Sequence, residues 1–379
     1  MTSRPKSVQA APIASKHDNC VLVLQGGGAL GAYQAGVYEA MAEHKFAPDW
    51  VTGVSIGAIN AALIAGNPPE RRIERLRDFW EKVSSGIPLP APSFFNPLRK
   101  TFNRMSATAT ATFGAPGFFE PRFPPLYLLP DSDPDTISIY DTSPLRETLL
   151  ELVDFDVIND KAMRLSVGSV NVHTGNSVYF DNRKQEIGPE HIMASGALPP
   201  GLPPIVIDGE HYWVGGIVSN SPLWYVLDDA PRVDALIVQV DLFSARGDMP
   251  TNLDEVLERV KDIQYSSKTR FNTNRVKELE TMRIALGHLL KKLPPKLRAD
   301  PDFLALRAVA EFKRSITLMH LINRRVNHSS SAKDYEFSRA TVRQLWEAGI
   351  EDVRRSCAHP NWRKPGDCHE GIQVLDLSE

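Results

Sequence analysis

Cysteine is scarce in this 379-residue chain, with Cys20, Cys357 and Cys368 as the whole complement. Three widely spaced thiols make no disulfide framework, and none stands in a C-x-x-C pair, which excludes the common zinc and redox motifs. A reducing, cytoplasmic setting is the expectation. Long hydrophobic runs are missing too. The most apolar window, GAINAALIAG at 57–66, falls well short of the ~18 residues of a membrane span, so any membrane contact should be peripheral. Residues 1–19 carry Arg4, Lys6 and Lys16 but no apolar signal-peptide core, and read as a disordered tail. Nothing resembles a metal cluster, and no nucleic-acid partner is expected.

An excess of one charge is absent overall, with 43 Lys and Arg against 46 Asp and Glu and a net charge of −3. The balance hides a basic block. Residues 256–330 hold 16 Lys or Arg and 7 Asp or Glu, a surplus of +9 that leaves −12 for the remainder. Such a block can face an anionic membrane, or it can be mixed charge on solvated helices. With 42% hydrophobic and 23% charged residues, the composition is that of a globular protein able to bury a large core.

Two strand–turn–helix units open the chain. VLVL at 21–24 is a buried-strand run, GGGALG a turn, and AYQAGVYEAMAEH continues at helical spacing. In the second unit a short strand at Trp50–Thr52 leads through a turn around Ser55 into a helix to about Ala65, stopped by Gly66-Asn67-Pro68. Two such units in succession predict a parallel α/β sheet. Residues 84–144 form a proline- and aromatic-rich insertion. RLSVGSVNV and SVYFDN then predict a hairpin turning at Gly175. HIMASGALP predicts a short helix, IVIDGEHYW a second hairpin at Asp208-Gly209, and VDALIVQVDLF a buried strand. Beyond residue 250 the pattern is mainly helical, with LDEVLERVKDIQYSSKTRF and FLALRAVAEFKRSITLMHLINRR carrying apolar residues at i, i+3, i+4 spacing.

GGGALG matches G-x-G-x-x-G through Gly26, Gly28 and Gly31, a dinucleotide fingerprint if a ribose-binding acid follows about 20 residues on. Asp49 stands at that distance, but before its strand instead of at the carboxyl end. The alternative is that the glycines bare backbone N–H groups at a helix N-terminus, where an oxyanion is held as readily as a phosphate. GVSIG, Gly53–Gly57, is G-x-S-x-G between strand and helix, the setting of a nucleophile elbow that would lift Ser55 Oγ into a pocket. A serine helix cap with glycine spacers is the plainer reading of the pentapeptide by itself.

Taken together, the two motifs resemble the patatin-like phospholipases, over about Val21 to Leu223 and including ASGALPPGLPPI and IVSNSPL. The resemblance implies an α/β domain over 20–245 with a parallel-rich sheet and flanking helices. The mainly helical remainder, 250–379, resembles the C-terminal extension of a bacterial subgroup. It also implies a lipid acyl hydrolase without metal or organic cofactor, acting on a lipid or other long-chain acyl ester. Ser55 would be the nucleophile, between elbow glycines Gly53 and Gly57, and the amides around Gly26, Gly27, Gly28 and Ala29 would form the oxyanion hole. The family's acid belongs in a D-G-G turn, where this chain reads Val214-Gly215-Gly216. Valine neither takes nor gives a proton, so the expectation is an impaired hydrolase, or else a lipid-binding or regulatory pseudoenzyme of the same fold.

Substitutes for the missing acid have plainer roles. Asp208 reads as a hairpin corner. His211 differs from position 214 by an odd number and should face the other side of its strand. His173 and His191 could serve an α/β-hydrolase order of Ser, acid, His, but no motif surrounds them. Cys20 reads as a small buried hydrophobe. Phe113, Phe118, Phe119, Phe123 and Tyr127 are either an acyl-chain wall or a loop packed on the sheet.

Overall fold

A computed structural model describes residues 19–87, 92, 98–125, 133–229, 235–267, 269–310, 315–324, 331–359 and 371–376. Residues 1–18 of the expected tail, Tyr127 and Cys368 lie outside the described residues.

β1 (Asn19–Leu24) ends in the glycine turn and α1 (Ala32–Glu43), then β2 (Trp50–Gly53) in α2 (Ile56–Ala65). These are the two expected units, and β1 and β2 pair in parallel with Leu24 opposite Gly53. Next come α3 (Arg72–Val83) and the insertion, which holds a long helix, α4 (Leu98–Phe113), and a small ribbon of β3 (Glu120–Pro121) and β4 (Tyr140–Asp141). α5 (Ser143–Leu152) and α6 (Phe155–Asn159) lead to β5 (Arg164–Asn171) and β6 (Ser177–Asp181). α7 (Pro189–Gly196), β7 (Ile205–Ile207), β8 (Glu210–Val214), α8 (Leu223–Asp229) and β9 (Ala235–Asp241) follow. The extension supplies α9 (Leu253–Tyr265), α10 (Thr269–Lys292), α11 (Pro301–Ala310), β10 (Ser315–Ile322), α12 (Arg339–Ala358) and β11 (Gly371–Leu375).

The main sheet runs β11-β10-β9-β1-β2-β5-β8-β7, with β6 on the other edge of β5. It is parallel from β11 to β5 and antiparallel in the β6 and β7–β8 pairings. The α/β expectation therefore holds, as do both hairpins, whose turns carry Gly175 at φ +70° and Asp208-Gly209 at φ 52° and 82°. Every residue of α2 is buried, because the helix packs on the sheet between α3 and α7. An all-apolar sequence is what such a position requires.

The extension is helical in α9 to α12 but also adds strands to the sheet. SITLMHLI, expected to be helix, is β10, paired in parallel with β9. Short apolar runs carry no decisive period, and its β-branched Ile316 and Thr317 suit the pleated surface next to β9. α12 closes on α1 so tightly that a Cβ on Gly36 would stand 1.9 Å from the Trp346 carbonyl oxygen, and one on Gly349 2.2 Å from that of Tyr33. Tyr33 Oη adds a 2.8 Å bond to Asp352 and Trp346 Nε1 a 2.6 Å bond to Glu39.

Candidate active site

The carboxyl ends of β1 and β2 meet at one cleft. Ser55 stands between β2 and α2 with φ 57° and ψ −125°, a conformation sparsely populated for any residue with a side chain. Its neighbours hold it there. The Ser55 N–H donates to Ser195 O at 3.0 Å and to Ser195 Oγ at 3.1 Å, and Ser195 Oγ donates to Gly168 O at 2.7 Å. The flanking glycines are demanded by close approach. A Cβ on Gly53 would lie 2.2 Å from the Gly57 carbonyl, and one on Gly57 2.4 Å from the Leu24 oxygen. The serine also caps α2 by position, yet its side chain makes no capping bond, so the plain cap reading does not describe it.

The glycine loop lies beside it. A Cβ on Gly26 would come within 3.1 Å of Ser55 Cβ, so loop and serine are in van der Waals contact. The Gly26 amide donates to Asn220 O at 3.2 Å, and Asn220 Nδ2 returns a 3.0 Å bond to Gly26 O. Gly27 and Gly28 are the remaining loop residues on the cleft wall, whereas Ala29 is buried behind it. Asp49 is at the opposite end of the strands, where its carboxylate accepts the Cys20 N–H at 2.8 Å. Four strand residues, Val21–Leu24, at ~3.3 Å each separate that carboxylate from the loop, which removes the dinucleotide reading.

Register brings Val214 to the same place. On one edge of β5, Val167 faces Gly53 of β2, and two residues on Ser169 faces Val214 of β8. β8 thus takes over the edge where β2 turns away at Ser55, and both residues line the cleft. Val214 is 3% exposed and its N–H donates to Ala197 O at 2.9 Å. The alternative bases are elsewhere. Asp208 is exposed at its hairpin corner. His211 points away and bonds Asp135 at 2.6 Å. His173 is exposed, and His191 is buried with Nδ1 accepting the Gly188 N–H at 2.9 Å, its protonation disfavoured by burial. Cys20 is buried, its thiol pushed up to about 12 by burial and then by Asp49.

The rest of the wall is largely aromatic, and three of its seven aromatic residues come from the extension. Phe118 and Phe119 of the insertion line the cleft, stacked edge-on at 5.3 Å, with Phe119 4.8 Å from Tyr140 and Phe118 5.9 Å from Phe337. Phe113 and Phe123 are 78% and 95% exposed, so neither the acyl-wall nor the packed-loop reading describes them. Phe243, Tyr265, Tyr335, Leu198 and Leu202 extend the apolar surface. None of the extension's residues was legible as part of a site, because no local motif marks them. Among the described residues that line the cleft Asp334 is the one carboxylate, and its Oδ1 is tied to Lys261 Nζ at 2.7 Å. Burial pushes the Tyr335 hydroxyl up to about 12, so it stays protonated near neutrality.

The fold and cleft thus define an α/β protein that presents a strained serine beside a glycine loop and an apolar groove. Residues 22–227 match the family model described as Patatin-like phospholipase, and residues 263–368 a second one described as Patatin phospholipase. The chain belongs to the patatin-like phospholipase family. A 59-residue stretch is 44% identical to the putative patatin-like phospholipase domain-containing protein M110.7 of Caenorhabditis elegans, covering 16% of this chain and 5% of that protein. Among solved structures, VipD from Legionella pneumophila aligns over 87% of this chain and 67% of its own, at 15% identity and a TM-score of 0.34.

Proposed function

We propose that the chain is a lipid acyl hydrolase of the serine type whose turnover is impaired at the proton-transfer step. The observation that carries the reading is Ser55 on its strained turn, in contact with the glycine loop and facing an aromatic-walled cleft. An acyl chain lies along the wall of Phe118, Phe119 and Phe337 while its carbonyl carbon meets Ser55 Oγ. As that bond forms, the carbonyl oxygen gains the negative charge and the Gly27 and Gly28 amides face it. The alcohol leaves, and water releases the acyl group.

Serine must lose its proton as the bond forms, and here the cleft offers little. Val214 stands where the resemblance puts the family's carboxylate, Asp334 is engaged by Lys261, and the Tyr335 hydroxyl is protonated. The glycine loop remains, so a small residual rate is expected. The same valine favours a second reading, a lipid-binding or regulatory pseudoenzyme. A cytoplasmic location with peripheral contact to an anionic membrane through the basic block belongs to this proposal as well.

A serine-reactive phosphonate separates the readings. Slow labelling of Ser55 in the chain as it stands, accelerated in Val214→Asp and absent in Ser55→Ala, supports the impaired hydrolase. No labelling in either form would leave the binding protein. A panel of phospholipid, lysophospholipid, neutral lipid and polyester substrates on the Val214→Asp form then names the ester.

A further inference from the structure

Helix α9 is turned inside out. In LDEVLERVKDIQY, Leu253, Val256, Leu257, Val260 and Ile263 share one arc of roughly 120° at ~100° per residue, the pattern that ordinarily packs on a core. All five are exposed, from 42% to 73%. The face that touches the protein is the charged one. Glu258 and Asp262 hold Lys333 Nζ at 3.1 and 2.6 Å, Lys261 holds Asp334, and Asp254 pairs with Arg104 at 3.4 Å. Lys333 is itself 7% exposed, so the seat is a built one. An apolar stripe gains nothing from facing water, and a contiguous one marks a surface that something else covers.

The stripe's helix ends at the cleft. Tyr265, its last residue, lines the cleft, and its carbonyl accepts from Asn220 Nδ2 and Gln25 Nε2, each at 3.0 Å. Asn220 also holds Gly26, so α9 and the glycine loop share one anchor. Met249, just before the helix, is 88% exposed. A long-chain ester resides in a lipid phase, and a protein seated on this helix would stand between that phase and the cleft. We propose that α9 docks the chain on a lipid surface. Its stripe enters the headgroup–acyl boundary while its ion-paired face stays on the protein. The proposal deepens the lipid-hydrolase reading and rests on it.

The test is flotation of the full chain with phosphatidylcholine vesicles, which carry no net charge. The chain should float with them, and the double variant Leu257→Asp/Val260→Asp should bind at least about tenfold more weakly, since two side chains lose their apolar burial. Both positions are exposed, so the fold should persist. In a Val214→Asp background the double variant should hydrolyse a soluble short-chain p-nitrophenyl ester as fast as its parent. Equal flotation of chain and double variant would overturn the docking proposal while leaving hydrolysis untouched. A dimer that the double variant converts to monomer would overturn it as well, because a second copy would then cover the stripe. Failure of the Val214→Asp background to hydrolyse the soluble ester would overturn the hydrolase reading, and flotation would still report docking on its own.

Discussion

At the start of β5, Arg164 reaches across to Asp181 with two bonds of 2.9 and 2.5 Å, also pairs with Asp229, and lies 3.8 Å over the Trp50 ring. At the other end of the same strand, Ser169 faces Val214 beside the strained Ser55. Both ends are buried, and the first holds a carboxylate where the second holds a valine. Asp181, fully buried, accepts from Arg164, Ser166, Tyr225 and the Arg183 amide. Burial pushes its carboxyl up, but the bonds from Arg164 and the Arg183 amide outweigh that and hold it below the usual carboxylate range. The fold can thus bury an acid when donors surround it. Around 214 no cation is found among the described residues that line the cleft, so a carboxylate there would be raised instead, which suits a base and not a structural ion.

The largest break in this comparison comes from removing the satisfied acid. Asp181→Ala leaves Arg164 buried beside a single partner and should cost about 3–5 kcal/mol in denaturant unfolding. Its pH signature has a definite sign. The folded-state carboxyl of Asp181 is depressed, so its contribution is present above the unfolded value near ~3.9 and is lost as pH falls through the lower folded value. Asp181→Asn should therefore flatten the acid limb of the stability curve.

Adding an acid at the other end is the converse experiment. Val214→Asp should raise kcat on esters by at least ~100-fold, equivalent to about 2.7 kcal/mol, with Ser55→Ala abolishing the gain. The new activity should rise with pH, because burial without a cation lifts that carboxyl and only its ionised form accepts the proton. Brisk turnover by the unaltered chain, unchanged on adding the aspartate, would show that the base lies elsewhere.

Smaller effects sharpen the geometry. Gly57→Ala puts a methyl 2.4 Å from the Leu24 carbonyl oxygen and should cost about 1–3 kcal/mol in stability, with phosphonate labelling of Ser55 lost while far-UV circular dichroism is kept. Phe118→Leu trims the aromatic wall of the cleft. In the Val214→Asp background it should weaken long-chain esters relative to short ones by about 0.8 kcal/mol per methylene that loses contact. Losses equal at every chain length would mean that the residue serves the core alone.

What the sequence by itself determined is what depends on neighbours a few positions apart. The strand–glycine–helix units, the Ser55 turn with its two glycines, both hairpins and the Val214-Gly215-Gly216 turn are all local chemistry, and the sheet that they imply is the one observed. Periodicity also marked the stripe on α9, but a period reports that a helix has two faces and never which one meets water. That choice came from Lys333, Asp334 and Arg104, whose charges hold the polar face inward. In the same way only tertiary structure brought Tyr265, Tyr335 and Phe337 to Ser55, and Asp229 to Arg164. Contacts across hundreds of residues leave no local pattern, because burial and pairing depend on the partner that the folded chain supplies.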